Sequence, residues 1–146
     1  YPTAEAADGL RGVAGAVRAA AYGMRRDYLQ NANAQIATIV QIESARALEQ
    51  VEQIAAVPGI DCLFVGPADL AASLGHLGDS RHPEVQQAMA RIVQAAKDAH
   101  VASGIFAMDV ASARQYRDAG FRFIALAADV MWLLRTTRQA LQEVRS

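Results

Sequence analysis

Ile36-Ala37-Thr38-Ile39-Val40-Gln41-Ile42-Glu43 and Ile60-Asp61-Cys62-Leu63-Phe64-Val65-Gly66-Pro67-Ala68-Asp69 decide how this 146-residue chain is read. Each is a short, apolar, largely β-branched run that stops at a carboxylate. Such runs suit strands covered on both faces, as in a parallel sheet. Between them, Leu48, Val51, Ile54 and Ala55 recur at helical spacing, with Arg46, Glu49, Gln50, Glu52 and Gln53 facing away. Pro58-Gly59 closes that helix. Glu43 and Asp69 are therefore one strand–helix–strand step apart. Neighbouring parallel strands that each end in an acid offer a site for a hard divalent cation.

The same rhythm extends in both directions. Residues 1–15 read as loop, punctuated by Pro2, Gly9, Gly12 and Gly15. Residues 17–33 are helix-prone and break near Gly23, with Tyr28, Leu29 and Ala32 forming an apolar face. After Gly66-Pro67, residues 68–74 form a short helix that stops at Gly75, and 76–81 are a polar loop. Pro83 suits the first position of a helix, with Glu84 in its first turn, where the dipole favours an anion. Its stripe is Val85, Met89, Ile92, Val93 and Ala96. Residues 101–107 are a third strand, Asp109 caps a helix that Gly120 ends, and 121–127 are a fourth strand. Asp129 caps a last helix striped by Val130, Leu133, Leu134, Leu141 and Val144. The resulting βαβαβαβα pattern demands a parallel sheet with right-handed crossovers. An open doubly wound sheet and part of a (βα)8 barrel both fit it. A whole barrel takes about 250 residues, so four βα units make roughly half of one. Both folds seat ligands at the C-terminal ends of their strands, where Glu43 and Asp69 lie.

Composition narrows the function. Hydrophobic residues make up 53% of the chain and charged residues 20%, so it is globular. The net charge is −1 and no basic block stands out, against a nucleic-acid or membrane-surface partner. Cys62 is the single cysteine; no internal disulfide or cysteine zinc cage is available, and its apolar strand marks it as an inert buried thiol. No apolar run approaches the roughly 20 residues of a membrane span, and no signal-peptide pattern opens the chain. A cytoplasmic location is expected. The chain opens on Tyr1 rather than Met, which reads as the remainder of a longer polypeptide.

Glu43 either ligates a metal or caps the helix that begins near Ser44. Strand alternation is read as sending Gln41 and Glu43 to opposite faces, with twist at the strand end bringing both to one pocket. Asp69 follows Gly66-Pro67-Ala68, where glycine permits close backbone approach and the first-turn amides of Ala68 and Asp69 are free donors. The competing reading is a plain turn. Two oxygen ligands plus waters suit Mg²⁺ or Mn²⁺, and a 2-oxo acid chelated there has its enolate stabilised. His76 and His82 read as surface-loop residues, and His100 as a cation suited to a helix C-terminus. Arg11 reads as holding its loop by a salt bridge or meeting an anion. Asp61, at a strand start, belongs to the stability face of a barrel.

Val40-Gln41-Ile42-Glu43, Val57-Pro58-Gly59-Ile60-Asp61 and Phe64-Val65-Gly66-Pro67-Ala68-Asp69-Leu70 resemble the HpcH/HpaI aldolase family, metal-dependent class II aldolases acting on pyruvate. Tyr1-Pro2, Gly9-Leu10-Arg11-Gly12, Tyr28-Leu29-Gln30-Asn31-Ala32-Asn33, Leu74-Gly75-His76, His82-Pro83-Glu84-Val85 and Gly104-Ile105 continue the resemblance in order. It implies a (βα)8 barrel of which residues 1–146 are the C-terminal portion. It implies Glu43 and Asp69 as metal ligands, Gln41 at the oxo-acid head, and the Ala68 backbone N–H on the substrate carboxylate. Residues 1–15 become an active-site loop, and 129–146 a helix packed on a neighbouring subunit of a hexamer, with Trp132 as an interface anchor. The general-base His and substrate Arg belong before Tyr1; no histidine here occupies the matching motif. The chain departs from the family at Thr3, at the longer Ala4–Asp8 stretch, at Phe106, which reshapes the aldehyde pocket, and at Ala127-Ala128-Asp129. The expected reaction is reversible cleavage of a 4-hydroxy-2-oxo acid to pyruvate and an aldehyde. A citrate-lyase-like acyl-CoA lyase would need a basic patch that is missing. A non-catalytic half-barrel is the reading from a different class.

Overall fold

The computed structural model describes Tyr1 and residues 9–145. The expectations for Pro2, Thr3 and the Ala4–Asp8 stretch lie outside the described residues. The chain divides into two compact units, within residues 1–37 and 38–146.

In the first unit, a 3-10 turn spans Arg18–Gly23 and helix α1 spans Tyr28–Gln35. Ala21, Tyr22 and Gly23 all have positive φ, so the expected helix breaks at this point. Tyr28 and Ala32 are buried together with Ala20. The Asn33 side chain brackets the Tyr1 backbone: its Oδ1 accepts from the Tyr1 nitrogen at 2.8 Å and its Nδ2 donates to the Tyr1 carbonyl at 2.9 Å. Arg11 lies 5.1 Å from the Tyr1 ring centroid, a cation–π contact, and has no ion-pair partner among the described residues.

The second unit is a four-stranded parallel sheet in the order β1-β2-β3-β4, formed by Ile39–Ile42, Cys62–Val65, Ala102–Ala107 and Phe123–Leu126. All three pairings are parallel. Helices α2 (Ala45–Glu49) and α3 (Val51–Ala55) follow β1; α4 (Pro67–Ser73) and α5 (Pro83–Asp98) follow β2. Helix α6 (Val110–Asp118) joins β3 to β4, and α7 (Asp129–Arg145) closes the chain. The single helix expected after β1 is broken at Gln50, whose φ and ψ of −107° and 15° are not helical. No helix among the described residues is long and apolar enough to cross a membrane.

The register sorts the side chains into two rows. Ile42, Val65, Ile105 and Ile124 are paired across the sheet, and so are Gln41, Phe64, Gly104 and Phe123. Alternation along each strand puts these rows on opposite faces. The first row packs with Val51, Ala55, Met89, Ile92 and Ala96 of the helices in one core. Across the other face, Phe64 and Phe123 meet edge to face at 5.8 Å. That face is only partly covered, since Ile39 is 48% and Phe123 44% exposed. The nearly continuous apolar sequence of β1 predicted cover on both sides. The structure supplies it on the helix side only, as for a barrel wall seen without the opposite wall.

At the N-terminal edge, Asp61 accepts from the Thr38 N–H at 2.6 Å and its own N–H donates to the Thr38 carbonyl at 2.9 Å. This is the structural role expected of it. Cys62 is buried, and burial pushes its thiol up, with the nearby Asp61 charge acting in the same sense.

Candidate active site

Glu43 leaves β1 at its C-terminal end, one residue beyond the last strand residue. Ser44 has an extended backbone, and its Oγ accepts from the Ala47 N–H at 3.1 Å. The helix cap is thus Ser44, not Glu43. The Ala45 N–H is held by Ser73 Oγ at 2.9 Å, which ties the end of α4 to the segment that carries Glu43. These two serines take over the first-turn donors of α2 and leave the Glu43 carboxylate uncommitted. Among the described residues, neither Glu43 nor Asp69 has a hydrogen-bond or ion-pair partner.

Gln41 and Glu43 lie on one face. Residues two apart in a strand point the same way, so the expected opposition of these two does not occur. The observation that proves it is at Gly66. A β-carbon there would sit 2.9 Å from Glu43 Oε2, 3.0 Å from Gln41 Nε2 and 3.2 Å from Glu43 Cβ. Both side chains therefore lie directly over the Gly66 backbone. Gly66 is buried and precedes Pro67, the first residue of α4, so Asp69 falls in the first turn of that helix. Glu43, Gln41, Gly66, Ala68 and Asp69 are assembled at one end of two adjacent strands. Their donor set is two carboxylates, an amide and backbone, all hard oxygen and nitrogen groups with no thiol or imidazole.

The three histidines stand elsewhere. His76 Nε2 pairs with Glu84 Oε2 at 2.7 Å, and its ring stacks on His82 at 3.5 Å between centroids. His82 Nδ1 accepts from the Glu84 N–H at 3.3 Å and caps α5. His100 follows α5 with φ of 58°. For His76 and His82 these contacts are structural, and the pairing with Glu84 and the ring stack were not foreseen. His76, His82 and Glu84 also bring three potential ligand atoms within 4.8 Å of one another.

A cavity of about 590 Å³ adjoins the site on the β3 side. Pro67 and Ala68 form one wall; Arg81, Phe106, Gln115 and Tyr116 are among the others. Burial pushes the Tyr116 phenol up, while the Arg81 charge pulls it in the opposite sense. No motif pointed to Arg81 or Tyr116. They come from the loop after α4 and from α6, and only the fold brings them together.

The sequence profile of the HpcH/HpaI aldolase/citrate lyase family matches residues 1–136. The chain belongs to this family. It is 82% identical, over all of its 146 residues, to the hydroxypyruvate/pyruvate aldolase of Paraburkholderia phytofirmans, of which it covers 56%. It is 43% identical over 136 residues to the 5-keto-4-deoxy-D-glucarate aldolase of Shigella boydii, matching 93% of this chain and 52% of that one. A crystal structure of a HpcH/HpaI aldolase/citrate lyase family protein from Burkholderia cenocepacia J2315 superposes with a TM-score of 0.91 at 73% identity, over all of this chain and 57% of that one. The chain spans about half the length of the curated relatives it matches. Its four βα units are accordingly part of a (βα)8 barrel, and the open doubly wound alternative falls away.

Proposed function

We propose that the protein to which this chain belongs is a divalent-metal-dependent aldolase that reversibly cleaves a 4-hydroxy-2-oxo acid to pyruvate and an aldehyde. The observation that carries this reading is the placement of Gln41 and Glu43 over Gly66, with Asp69 in the adjoining helical turn. The names of the relatives, aldolases at 82% and 43% identity, support a carbon–carbon lyase. They give no such support to an acyl-CoA lyase.

Glu43 and Asp69 would hold the metal. Two carboxylates without other partners among the described residues leave most coordination positions to water and substrate, as Mg²⁺ and Mn²⁺ prefer. The bound ion would supply Lewis-acid stabilisation of the negative charge that develops on the 2-oxo oxygen as C3 loses its proton. Gln41 offers an amide N–H to the oxo-acid head, and the Ala68 N–H, in the first turn of α4, offers a donor to the carboxylate. In the synthetic direction pyruvate C3 bonds to the aldehyde carbon while the aldehyde oxygen gains a proton. The proton carrier is assigned to a histidine outside this segment, with a substrate-binding arginine beside it.

The test is the full-length protein with Glu43→Ala and Asp69→Ala, assayed for pyruvate release with Mg²⁺ or Mn²⁺. Activity falls by at least a hundredfold in each. Retention of metal-dependent cleavage by either variant rejects the assignment. A parallel assay of the 146-residue chain alone is expected to show no turnover; turnover there would place the proton carrier within this segment.

A further inference from the structure

The loop that joins α4 to α5 carries a second set of donors, built from two motifs that the proposed reaction leaves unused, Leu74-Gly75-His76 and His82-Pro83-Glu84-Val85. His76 Nε2 lies 2.7 Å from Glu84 Oε2, and the His76 and His82 rings stack at 3.5 Å between centroids. One ligand atom from each of the three residues falls within 4.8 Å of the others. Gly75 and Gly78, with φ of 86° and 81°, turn the loop so that His76 meets the first turn of α5. Backbone bonds hold it there: the Asp79 N–H donates to the His76 carbonyl at 2.9 Å and the His82 N–H to the Asp79 carbonyl at 3.2 Å. Both histidines are half-buried and the Glu84 side chain is 58% exposed, so an ion can enter from solvent.

Two imidazoles and a carboxylate differ in kind from the groups gathered around Gly66. They suit a borderline transition ion such as Zn²⁺, which takes three such ligands and a water in a tetrahedral shell. Mg²⁺ and Mn²⁺ prefer the oxygen set. Zinc bonds of about 2 Å at tetrahedral angles put ligand atoms roughly 3.3 Å apart. The 2.7 Å pair therefore opens slightly to admit the ion, and the rings, 16° from parallel, turn so that their nitrogens converge. Both movements are cheap, because the Glu84 carboxylate is exposed and the contact of His82 Nδ1 with the Glu84 N–H is long, at 3.3 Å. Ligation needs a lone pair on each ring. His76 Nε2 passes its proton to Nδ1, or to water when the ring is charged, and His82 offers Nδ1 in exchange for the contact with the Glu84 N–H.

We propose that His76, His82 and Glu84 form a second metal site, selective for ions of the Zn²⁺ type and separate from Glu43 and Asp69. The bound ion ties the loop between α4 and α5 to the first turn of α5 and takes no part in the chemistry at Glu43 and Asp69. The site stands independently of the aldolase reading.

The experiment uses full-length protein carrying Glu43→Ala and Asp69→Ala, so that the oxygen site does not respond. Isothermal titration with Zn²⁺ gives one ion per chain, and Co²⁺ in its place gives the intense visible bands of a four-coordinate ion. His76→Ala and Glu84→Gln each weaken Zn²⁺ binding at least tenfold. His82→Asn weakens it as much, yet keeps an acceptor at the N-cap of α5, so the urea midpoint measured without zinc hardly moves. Added Zn²⁺ raises the urea midpoint of the parent but not of these three variants, and Mg²⁺ at equal concentration raises none of them. Absence of Zn²⁺ uptake overturns the proposal, as does uptake that the three substitutions leave unchanged, or an equal response to Mg²⁺. Wild-type protein, from which each of the three substitutions removes one bound zinc ion, serves if the double variant does not fold.

Discussion

A β-carbon on Gly66 would lie 2.9 Å from Glu43 Oε2 and 3.0 Å from Gln41 Nε2, the free ends of two flexible side chains. The Gly66 φ of −96° is open to alanine, so the backbone itself raises no objection. Gly66→Ala lets those two ends swing aside, but Glu43 Cβ, 3.2 Å away and fixed to the backbone, must shift by a few tenths of an ångström, so the substitution costs about 1–2 kcal/mol. It also loses the placement of the two side chains. Divalent-metal affinity of the full-length protein falls at least tenfold by isothermal titration, more than the modest drop in urea midpoint accounts for. Gly104 makes the opposite case. A β-carbon there would meet Phe64 at 2.7 Å, Cys62 Sγ at 3.0 Å and Phe123 at 3.1 Å, side chains that pack over the sheet. Gly104→Ala destabilises by about 1–3 kcal/mol, read as a shift in the urea midpoint. The sequence made Gly66 legible as a point of close approach, but it did not say to what. Glu43 and Asp69 stood out because each ends an apolar run. The common face of Gln41 and Glu43 follows from alternation alone, whereas the expectation brought both to one pocket only through twist at the strand end. Arg11 on the Tyr1 ring lies beyond such rules, since no short-range pattern joins the two.

Helix α6 begins with a reciprocal cap in which Asp109 accepts from the Ser112 N–H and Ser112 Oγ lies 3.2 Å from the Asp109 N–H. The Ser112 N–H, then its hydroxyl, hold the Asp109 carboxyl below the ordinary carboxylate range. A carboxyl with a depressed folded-state pKa contributes stability above its unfolded value and loses it as pH falls through the folded one. The urea midpoint of wild type therefore declines on acidification through this range. Asp109→Asn keeps an acceptor for the Ser112 N–H but cannot titrate, so its midpoint declines less over the same pH steps. Asp109 was readable as a cap because the residue type and the Gly120 stop frame the helix. The break at Gln50 was not, because Leu48, Val51 and Ile54 keep helical spacing across it. Helix α7 has no buried residue, and Val130, Leu133, Leu134 and Leu141 are all at least 49% exposed, with Trp132 at 40%. A 17-residue helix with an apolar stripe and no cover gains its stability from packing elsewhere. A second copy of the protein is the proposed partner. Leu133→Asp with Leu134→Asp in full-length protein lowers the assembly state seen by light scattering, and an unchanged mass removes α7 from the interface.

Four parallel strands leave β1 and β4 each with one side that pairs with no strand among the described residues. They also leave the row Gln41, Phe64, Gly104 and Phe123 facing away from the helices. Closing a barrel removes both problems at once: the edges find partners and the inner row becomes core. The alternation of strand and helix made this architecture readable. The open inner face was not, because an apolar strand looks the same whether its second cover lies within the chain or beyond it. Ile39, at 48% exposed, and Phe123, at 44%, are the residues that such closure would bury. Produced alone, the 146-residue chain is thus expected to self-associate through this face and to bind a hydrophobic dye such as anilinonaphthalene sulfonate. Ile39→Thr with Phe123→Ser weakens both responses in the isolated chain, because it makes the exposed face polar. The same pair in the full-length protein has the reverse consequence, since it places two hydroxyls in a closed core. There it costs about 2–5 kcal/mol, measured by urea unfolding. Weaker self-association and dye binding of the isolated chain together with destabilisation of the full-length one identify this face as the barrel interior. A pair of substitutions that left the full-length protein unchanged would show that the face stays open in the complete fold.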